Sequence, residues 1–203
     1  MDLYTKLQDV ESSVVQRMTE FEAMLSSHQS PHTDLGKLSQ DFIAFRNLTL
    51  QTLNMLRSQM ELVLLGLDRH EMASRRKVLL FHGIPESDAT DPETAIVGIL
   101  TNQMKLTGCT EEDLTACYRL GSNTSKPRPI LVRFLSLRRC NEVWKNKTLL
   151  KGSKVIISEF LTKSRHDVFL EARSHFGVKR CWTTDGKIIV LLPDNKRKEA
   201  WVH

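Results

Sequence analysis

Arg133 sits in the apolar run Pro129–Leu135, where Ile130, Val132 and Phe134 alternate with Leu131, Arg133 and Leu135. Successive side chains of a strand point to opposite faces. The guanidinium is therefore expected on the face away from Val132 and Phe134. A guanidinium on an uncovered sheet face suits a phosphodiester or the plane of a base. The plainer alternative is a solvated arginine paired with an acid. Arg119 and Arg128 fall on or beside neighbouring strands, and the three are expected to converge on one sheet edge as a groove for a phosphodiester backbone. A second basic cluster follows: Lys147, Lys151, Lys154, Lys163, Arg165 and Arg173. Arg165 and Arg173 are eight residues apart on an expected helix and share one face of it. A third cluster, Lys179, Arg180, Trp182 and Lys187, puts an aromatic ring among bases. Trp182 either stacks on a base, worth about 1–3 kcal/mol, or belongs to a core. Lys196-Arg197-Lys198 reads as a solvated or backbone-tracking tail.

Catalytic chemistry has little to work with. There is no Ser-His-Asp arrangement with a recognisable elbow, no glycine-rich phosphate loop and no carboxylate set at metal spacing. Glu111-Glu112-Asp113 reads as an acidic helix start. The four cysteines, Cys109, Cys117, Cys140 and Cys181, form no CxxC pair. They read as reduced, buried thiols, and His166 and His175 suit no common zinc pattern. The sequence thus points away from an enzyme, a metal site, a cofactor or a small-molecule substrate.

The charge is divided along the chain. Residues 1–74 carry 6 Lys+Arg against 10 Asp+Glu, and residues 75–203 carry 23 against 14. Within the basic part, residues 78–118 have one Lys against 7 acids, while residues 119–203 have 19 bases against 7. So strong a local excess points to a polyanionic partner, with nucleic acid ahead of an acidic membrane surface. The N-terminus lacks a basic segment followed by an apolar core, and Leu62–Leu67 is too short to span a bilayer. An intracellular, cytoplasmic or nuclear protein without a transmembrane segment is expected.

The elements that must position these groups follow from hydrophobic period. In residues 2–26, Leu3, Leu7, Val10, Val14, Met18, Phe21 and Leu25 form a heptad seam with one stutter. Ser27–Thr33 breaks it. A second helix is expected from an Asp34 N-cap to about residue 74, with the seam Leu35, Leu38, Phe42, Phe45, Thr49, Leu53, Leu56, Met60, Val63 and Leu67. Either this pair is a helical hairpin packed on the globular part, or the seam joins several copies as a coiled coil. From residue 77 the period changes. Strands are expected at Lys77–Gly83, Thr115–Leu120, Pro129–Leu135 and Lys154–Ser158, and helices from Pro92, with Asp91 as N-cap and Ile96, Leu100 and Met104 on one face, to an end at Gly108, and at Ser136–Leu150. That β-α-β-β-α-β order implies a four-stranded antiparallel sheet with two helices on one face. Thr162–Phe176 reads as a helix, Lys179–Thr183 and Lys187–Leu192 as a hairpin about Thr184-Asp185-Gly186, and Asn195–Val202 as a short final helix. The whole is α+β: a coiled-coil region at 1–74, a sheet domain at 75–160 and a small C-terminal domain at 161–203.

Several of these segments have a familiar look together. Gly83-Ile84-Pro85-Glu86-Ser87, the ILVRF strand after Lys126-Pro127-Arg128-Pro129, and Leu150-Lys151-Gly152 before Val155-Ile156-Ile157 resemble the first-open-reading-frame protein of LINE-type retrotransposons. The segment Trp182–Val190 is similar to the C-terminal domain of insect members and of the related few-polyhedra proteins of baculoviruses. The resemblance implies an RNA-recognition-motif-like (RRM-like) domain with a small C-terminal domain, carried on a coiled-coil homo-oligomer, a trimer or dimer. It implies a nucleic acid chaperone that binds single-stranded RNA, or DNA, in the ribonucleoprotein particles of a transposable element. It places the family's RNA-contacting arginines at Arg119, Arg128, Arg133 and Arg165. The alternative is an interaction scaffold whose heptads dock another protein and whose basic part attaches to acidic protein or membrane.

Overall fold

The computed structural model describes residues 9, 12–20, 22–23, 35–86, 91–122 and 127–200. Residues 12–20 and 22–23 are helical, and helix α1 spans Leu35–Ser74. The seam residues Leu3, Leu7, Val10, Phe21 and Leu25 and the expected cap Asp34 lie outside the described residues, as do the side chains of Leu35 and Leu38. Among the rest, Phe42, Leu53, Met60 and Leu67 are all more than half exposed, Phe45 and Val63 are exposed, and Leu56 is half-buried. Met18 is exposed and Val14 half-buried. Contacts divide the chain into two compact units, Met1–Leu65 and Gly66–His203. The last turns of α1 thus belong with the second unit.

That unit holds two antiparallel sheets. The first contains β1 (Val78–His82), β2 (Leu114–Arg119), β3 (Ile130–Phe134) and β4 (Ile156–Glu159) in the spatial order β2-β3-β1-β4. Helix α2 (Pro92–Gly98) follows β1 and helix α3 (Leu137–Asn146) follows β3, which gives the expected β-α-β-β-α-β order. Asp91 accepts a hydrogen bond from Glu93 N ahead of Pro92, and Ser136 accepts one from Arg139 N. One core lies between sheet and helices. Leu79 and Phe81, Ile130, Val132 and Phe134, and Ile157 meet Ile96 and Leu100 from the α2 side and Cys140 and Val143 from α3. Phe81 and Phe134 are almost fully enclosed, and truncating either to Ala carries a cost of about 3–5 kcal/mol.

The second sheet is β5 (Cys181–Thr184), β6 (Lys187–Leu191) and β7 (Arg197–Ala200), with helix α4 (Lys163–Phe176) against it. Its separate core joins Cys181, Ile188 and Val190 to Ala172, with Val168 and Phe169 packed around them. Asp185 (φ 52°) and Gly186 (φ 71°) make the tight turn expected for a hairpin.

The structure corrects several boundaries. Of the final helix expected at Asn195–Val202, Arg197–Ala200 is instead strand β7, and Trp201 and Val202 lie outside the described residues. Asn195 adopts φ 61°, Asp194 accepts from Lys196 N, and Leu192 N donates to Lys196 O, so the chain reverses and pairs with β6. The tail Lys196-Arg197-Lys198 is therefore turn and strand. Helix α2 ends at Gly98 and continues as a wider π turn over Ile99–Gln103, closed by Met104 N to Ile99 O. The helix expected at Ser136–Leu150 tightens after Asn146 into a 3-10 turn, Lys147–Leu150. Val178–Arg180 is a 3-10 turn, so β5 begins at Cys181 rather than Lys179. Likewise β4 begins at Ile156 rather than Lys154.

Gly83 ends β1 with φ 81°, and a Cβ there would lie 2.0 Å from the backbone oxygen of Lys154. Gly108 also has a positive φ, 67°, but open space around it. Gly83→Ala should cost about 2–4 kcal/mol, combining left-handed strain with a backbone clash. Gly108→Ala should cost only the strain, about 1–2 kcal/mol. Urea denaturation of both variants, read at unchanged m, checks the difference.

Candidate nucleic-acid interface

Register assigns the two faces of the first sheet. Directly paired residues of antiparallel strands share a face. Val78 pairs with Arg133, Leu80 with both Leu131 and Ser158, and His82 with Ile156. On the other side of β3, Ala116 pairs with Arg133 and Tyr118 with Leu131. These residues make up the face opposite the helix-packed core residues Leu79, Phe81, Ile130 and Val132. As expected, Arg133 projects from it, exposed between buried Val132 and Phe134. Among the described residues its guanidinium has no ion pair or hydrogen bond. No Asp or Glu occupies a strand position on this face.

Tyr118 is the residue that the sequence reading missed. It is 50% exposed on this same face, diagonal to Arg133 across the β2–β3 ladder. Pleat parity within Leu114–Arg119 separates Tyr118 from Cys117 and Arg119, but only the register with β3 puts it beside Arg133. His82 was missed as well: its Nε2 lies 2.8 Å from Ser158 Oγ, and burial lowers its pKa below the ordinary value.

The three arginines do not form the single groove expected of them. Arg119 pairs with Ile130 and so lies on the helix side, opposite to Arg133. Its guanidinium donates to the carbonyls of Ile84 and Arg128, both at 2.8 Å, and of Pro85 at 2.7 Å. It clamps the chain after β1 to the start of β3. Arg128 forms a forked pair with Glu86, Nη2 to Oε2 at 2.9 Å, while its backbone N donates to Glu86 Oε1. The Arg128 side-chain and backbone hydrogen bonds hold the Glu86 carboxyl down at about 2. Arg133 alone of the three is free.

Arg165 is also engaged internally. Its Nε donates to Asp68 Oδ2 at 2.8 Å and its Nη1 to Gly186 O at 2.8 Å, with both side chains of the ion pair largely buried. Thr162 and Ser164 donate to Asp68 Oδ1. Burial opposes ionisation of Asp68, but the hydrogen bonds from Thr162 and Arg165, the Arg165 charge and Ser164 outweigh it and leave the pKa below normal. Gly186 N donates to Glu159 Oε1 at 3.1 Å. Burial raises the Glu159 pKa, partly offset by Thr183, Gly186 and Lys147. The turn of the hairpin is thus held through both backbone groups of one glycine. Arg173 lies with its Cζ 4.3 Å from the centre of the Phe169 ring.

The remaining candidates divide by environment. Lys151, Lys154, Lys163, Lys179 and Arg180 are exposed, and their side chains have no partner among the described residues. Lys187 pairs with Glu199 at 3.2 Å, and Lys147 Nζ stands 3.0 Å above the Trp144 ring. Trp182 is half-buried on the outer face of the second sheet, paired with Ile189, with Arg197 5.8 Å from its ring centre. Burial pushes the thiols of Cys117 and Cys140 up to about 12. Among the described residues no group of three His, Cys, Asp or Glu could hold a metal ion, and no helix is long and apolar enough to cross a membrane. Comparison with protein-family models and with curated proteins gives no match for this chain.

Replacing Asp68 with Asn should cost about 2–4 kcal/mol, because it leaves the largely buried Arg165 charge without its counterion. The folded pKa of Asp68 lies below its ordinary value of 3.8. Its charge therefore stabilises the fold above that value, and the contribution is lost as pH falls through the folded pKa. The gap between wild type and Asp68→Asn should be constant from neutral pH to about pH 5 and shrink below about pH 4. Arg133→Ala should stay within about 0.5 kcal/mol of wild type. Denaturation across pH measures all three.

Proposed function

We propose that this chain is a non-enzymatic single-stranded nucleic-acid-binding protein, RNA being the natural ligand, that works as a homo-oligomer joined through α1. On this reading the first sheet is an RRM-like domain, and the chain acts as a chaperone in ribonucleoprotein particles of the LINE-type retrotransposon kind that its sequence resembles. One observation carries it: the sheet face opposite the core under α2 and α3 sets exposed Tyr118 diagonal to Arg133, whose guanidinium has no partner among the described residues, and carries no acid at its described strand positions. An aromatic ring gives a base something to stack on whatever its identity, and a free guanidinium holds phosphate. Lys151, Lys154, Lys163, Lys179 and Arg180 add charge with no competing internal partner among the described residues.

The exposed seam supports assembly. Phe42, Leu53, Met60 and Leu67 at 61%, 56%, 66% and 60% exposure form a long apolar stripe, and such stripes mark association surfaces. Joining copies multiplies weak contacts through effective concentration. The scaffold reading, with the basic part attached to acidic protein or membrane, draws on the internal engagement of Arg119, Arg128 and Arg165, which leaves fewer arginines for RNA.

Six of the cations that have no partner among the described residues, Arg133 and the five above, set the expected salt dependence. The slope of log affinity against log salt should be near −4 for a single strand. Tyr118→Ala should lower affinity about 5- to 100-fold, and Arg133→Ala should flatten the slope by about 0.7. Anisotropy titrations of a labelled oligonucleotide at several salt concentrations test both; a slope near zero would sink the reading. Leu53→Glu with Met60→Glu should lower the mass read by light scattering while leaving the melting of the second unit intact.

A further inference from the structure

Arg128 is engaged in a different way from Arg119 and Arg165. Arg119 directs its guanidinium at three backbone carbonyls. Arg165 shares an ion pair with Asp68 in which the two side chains are 18% and 11% exposed. The side chains of Arg128 and Glu86 are 27% and 36% exposed, so water reaches both. Their fork is nonetheless complete. Arg128 Nη2 donates to Glu86 Oε2 at 2.9 Å, Nε lies 3.3 Å from both carboxylate oxygens, and the Arg128 amide donates to Oε1 at 2.7 Å. With the Arg128 hydrogen bonds holding the Glu86 carboxyl at about 2, the acid stays charged throughout the neutral range.

Register puts this pair at one end of the first sheet. β1 and β3 are antiparallel with Phe81 opposite Ile130, so the chain leaving β1 toward Glu86 and the chain entering β3 from Arg128 lie together. Arg119 pairs with Ile130 and Leu120 N donates to Pro129 O, which brings the end of β2 to the same place. Gly83 closes against the backbone of Lys154 there, ahead of β4. Arg128 stands three residues before Leu131, the partner of Tyr118, or about 10 Å along the strand. The base platform, the unpartnered Lys154 and the held Arg128 thus surround one end of the sheet.

An exposed ion pair adds little to stability, because both groups are well solvated when apart. Its effect on an incoming anion is larger. A phosphate takes the same forked contact from a guanidinium as a carboxylate does, so the two compete for Arg128. Glu86 is attached to the same chain and competes at a high effective concentration. Where phosphate displaces it, an unpaired carboxylate is left beside a polyanion, which is itself unfavourable. We propose that Glu86 restrains nucleic-acid affinity by occupying Arg128 in place of a phosphate. The inference rests on the single-strand-binding reading above and adds to it a residue that sets the strength of binding. Arg128 is then a cation in reserve, excluded from the wild-type salt dependence and restored to it when the Glu86 charge is removed.

The test uses the full chain and a labelled single-stranded oligoribonucleotide of about 12 nucleotides, titrated at several salt concentrations. Glu86→Gln keeps an acceptor for the Arg128 amide and removes the charge. Its log–log salt slope should be steeper than wild type by about 0.7, which at 0.1 M salt is about 5-fold tighter binding. Arg128→Ala alone should leave the slope unchanged, whereas in the Glu86→Gln background it should remove the whole gain. Glu112→Gln, an exposed acid before β2 at the opposite end of the sheet, controls for net charge and should leave the slope as it is. An unchanged slope in Glu86→Gln overturns the inference, as does an equal gain in Glu112→Gln or a gain that survives Arg128→Ala in the double variant. A slope flattened by about 0.7 in Arg128→Ala alone would show Arg128 already on phosphate and overturns it without any Glu86 variant. Each of these leaves single-strand binding standing. If wild type binds no oligonucleotide, or binding ignores salt, the underlying reading falls and takes this one with it.

Discussion

The ion pair between Asp68 and Arg165 fixes the second unit's internal arrangement. Its two apolar cores are separate, one under the first sheet and one between α4 and the second sheet. A set of hydrogen-bonded charges joins them, with buried Met72 and Leu161 beside it. Asp68, in the last turns of α1, receives Thr162, Ser164 and Arg165 from the start of α4, and Arg165 passes on to Gly186 O in the hairpin turn. Glu159, at the end of β4, takes the Gly186 amide. A Cβ at Gly186 would lie 2.7 Å from Met72 Cγ of α1, so Met72 would have to shift to admit a side chain there. Arg75 strengthens the same junction: it donates to Leu161 O and lies 4.0 Å over the Phe160 ring. Hydrogen-bonded charges of this kind are weak sources of net stability but strong sources of geometry, because removing one partner strands the other.

That junction changes which cations are available. An arginine in a basic stretch reads as a ligand for phosphate when only its neighbours in sequence are known. Arg165 and Arg128 each have a carboxylate partner from far along the chain, Asp68 and Glu86, and Arg119 has three carbonyls. Their charge is already balanced or directed, and moving it to an outside anion means breaking contacts that hold loops and helices in place. Among the described residues nothing makes such a claim on Arg133, or on Lys151, Lys154 and Lys163 around β4 and α4. Under the proposed function, affinity comes from these unclaimed groups, and the engaged arginines act by building the surface.

Local pattern and long-range pairing were unequally legible in the sequence. The α+β class, the β-α-β-β-α-β order, the long helix through Ser74 and the Asp185-Gly186 turn all rest on periodicity and turn chemistry within a few residues, and all are in the structure. The exposure of Arg133 follows from the alternation around it. The placing of Arg119 beside Arg133 failed because being on neighbouring strands does not fix a face; pairing register does, and it spans long loops. The same register hid Tyr118 and the His82–Ser158 pair. The final strand was misread because Lys196–Val202 lacks the alternation of a buried strand; turn bonds around Asn195 and the open edge of β6 decide its state. Partners 97 residues apart, such as Asp68 and Arg165, leave no local signal at all.

The charge division along the chain takes on a physical meaning once the faces are known. The acids of residues 78–118 include Glu93 and Asp91 at the start of α2 and Glu111–Asp113 in the 3-10 turn before β2, all outside the strand positions of the face that carries Arg133. Under the proposed function a polyanion lies on the other face, against Arg133 and Tyr118, away from these carboxylates, of which Asp113 is paired with Arg139. A single face with one arginine and one aromatic ring is a weak grip. Its strength on a long strand would come from repetition, with several copies held together by the apolar stripe of α1 engaging the same molecule at once.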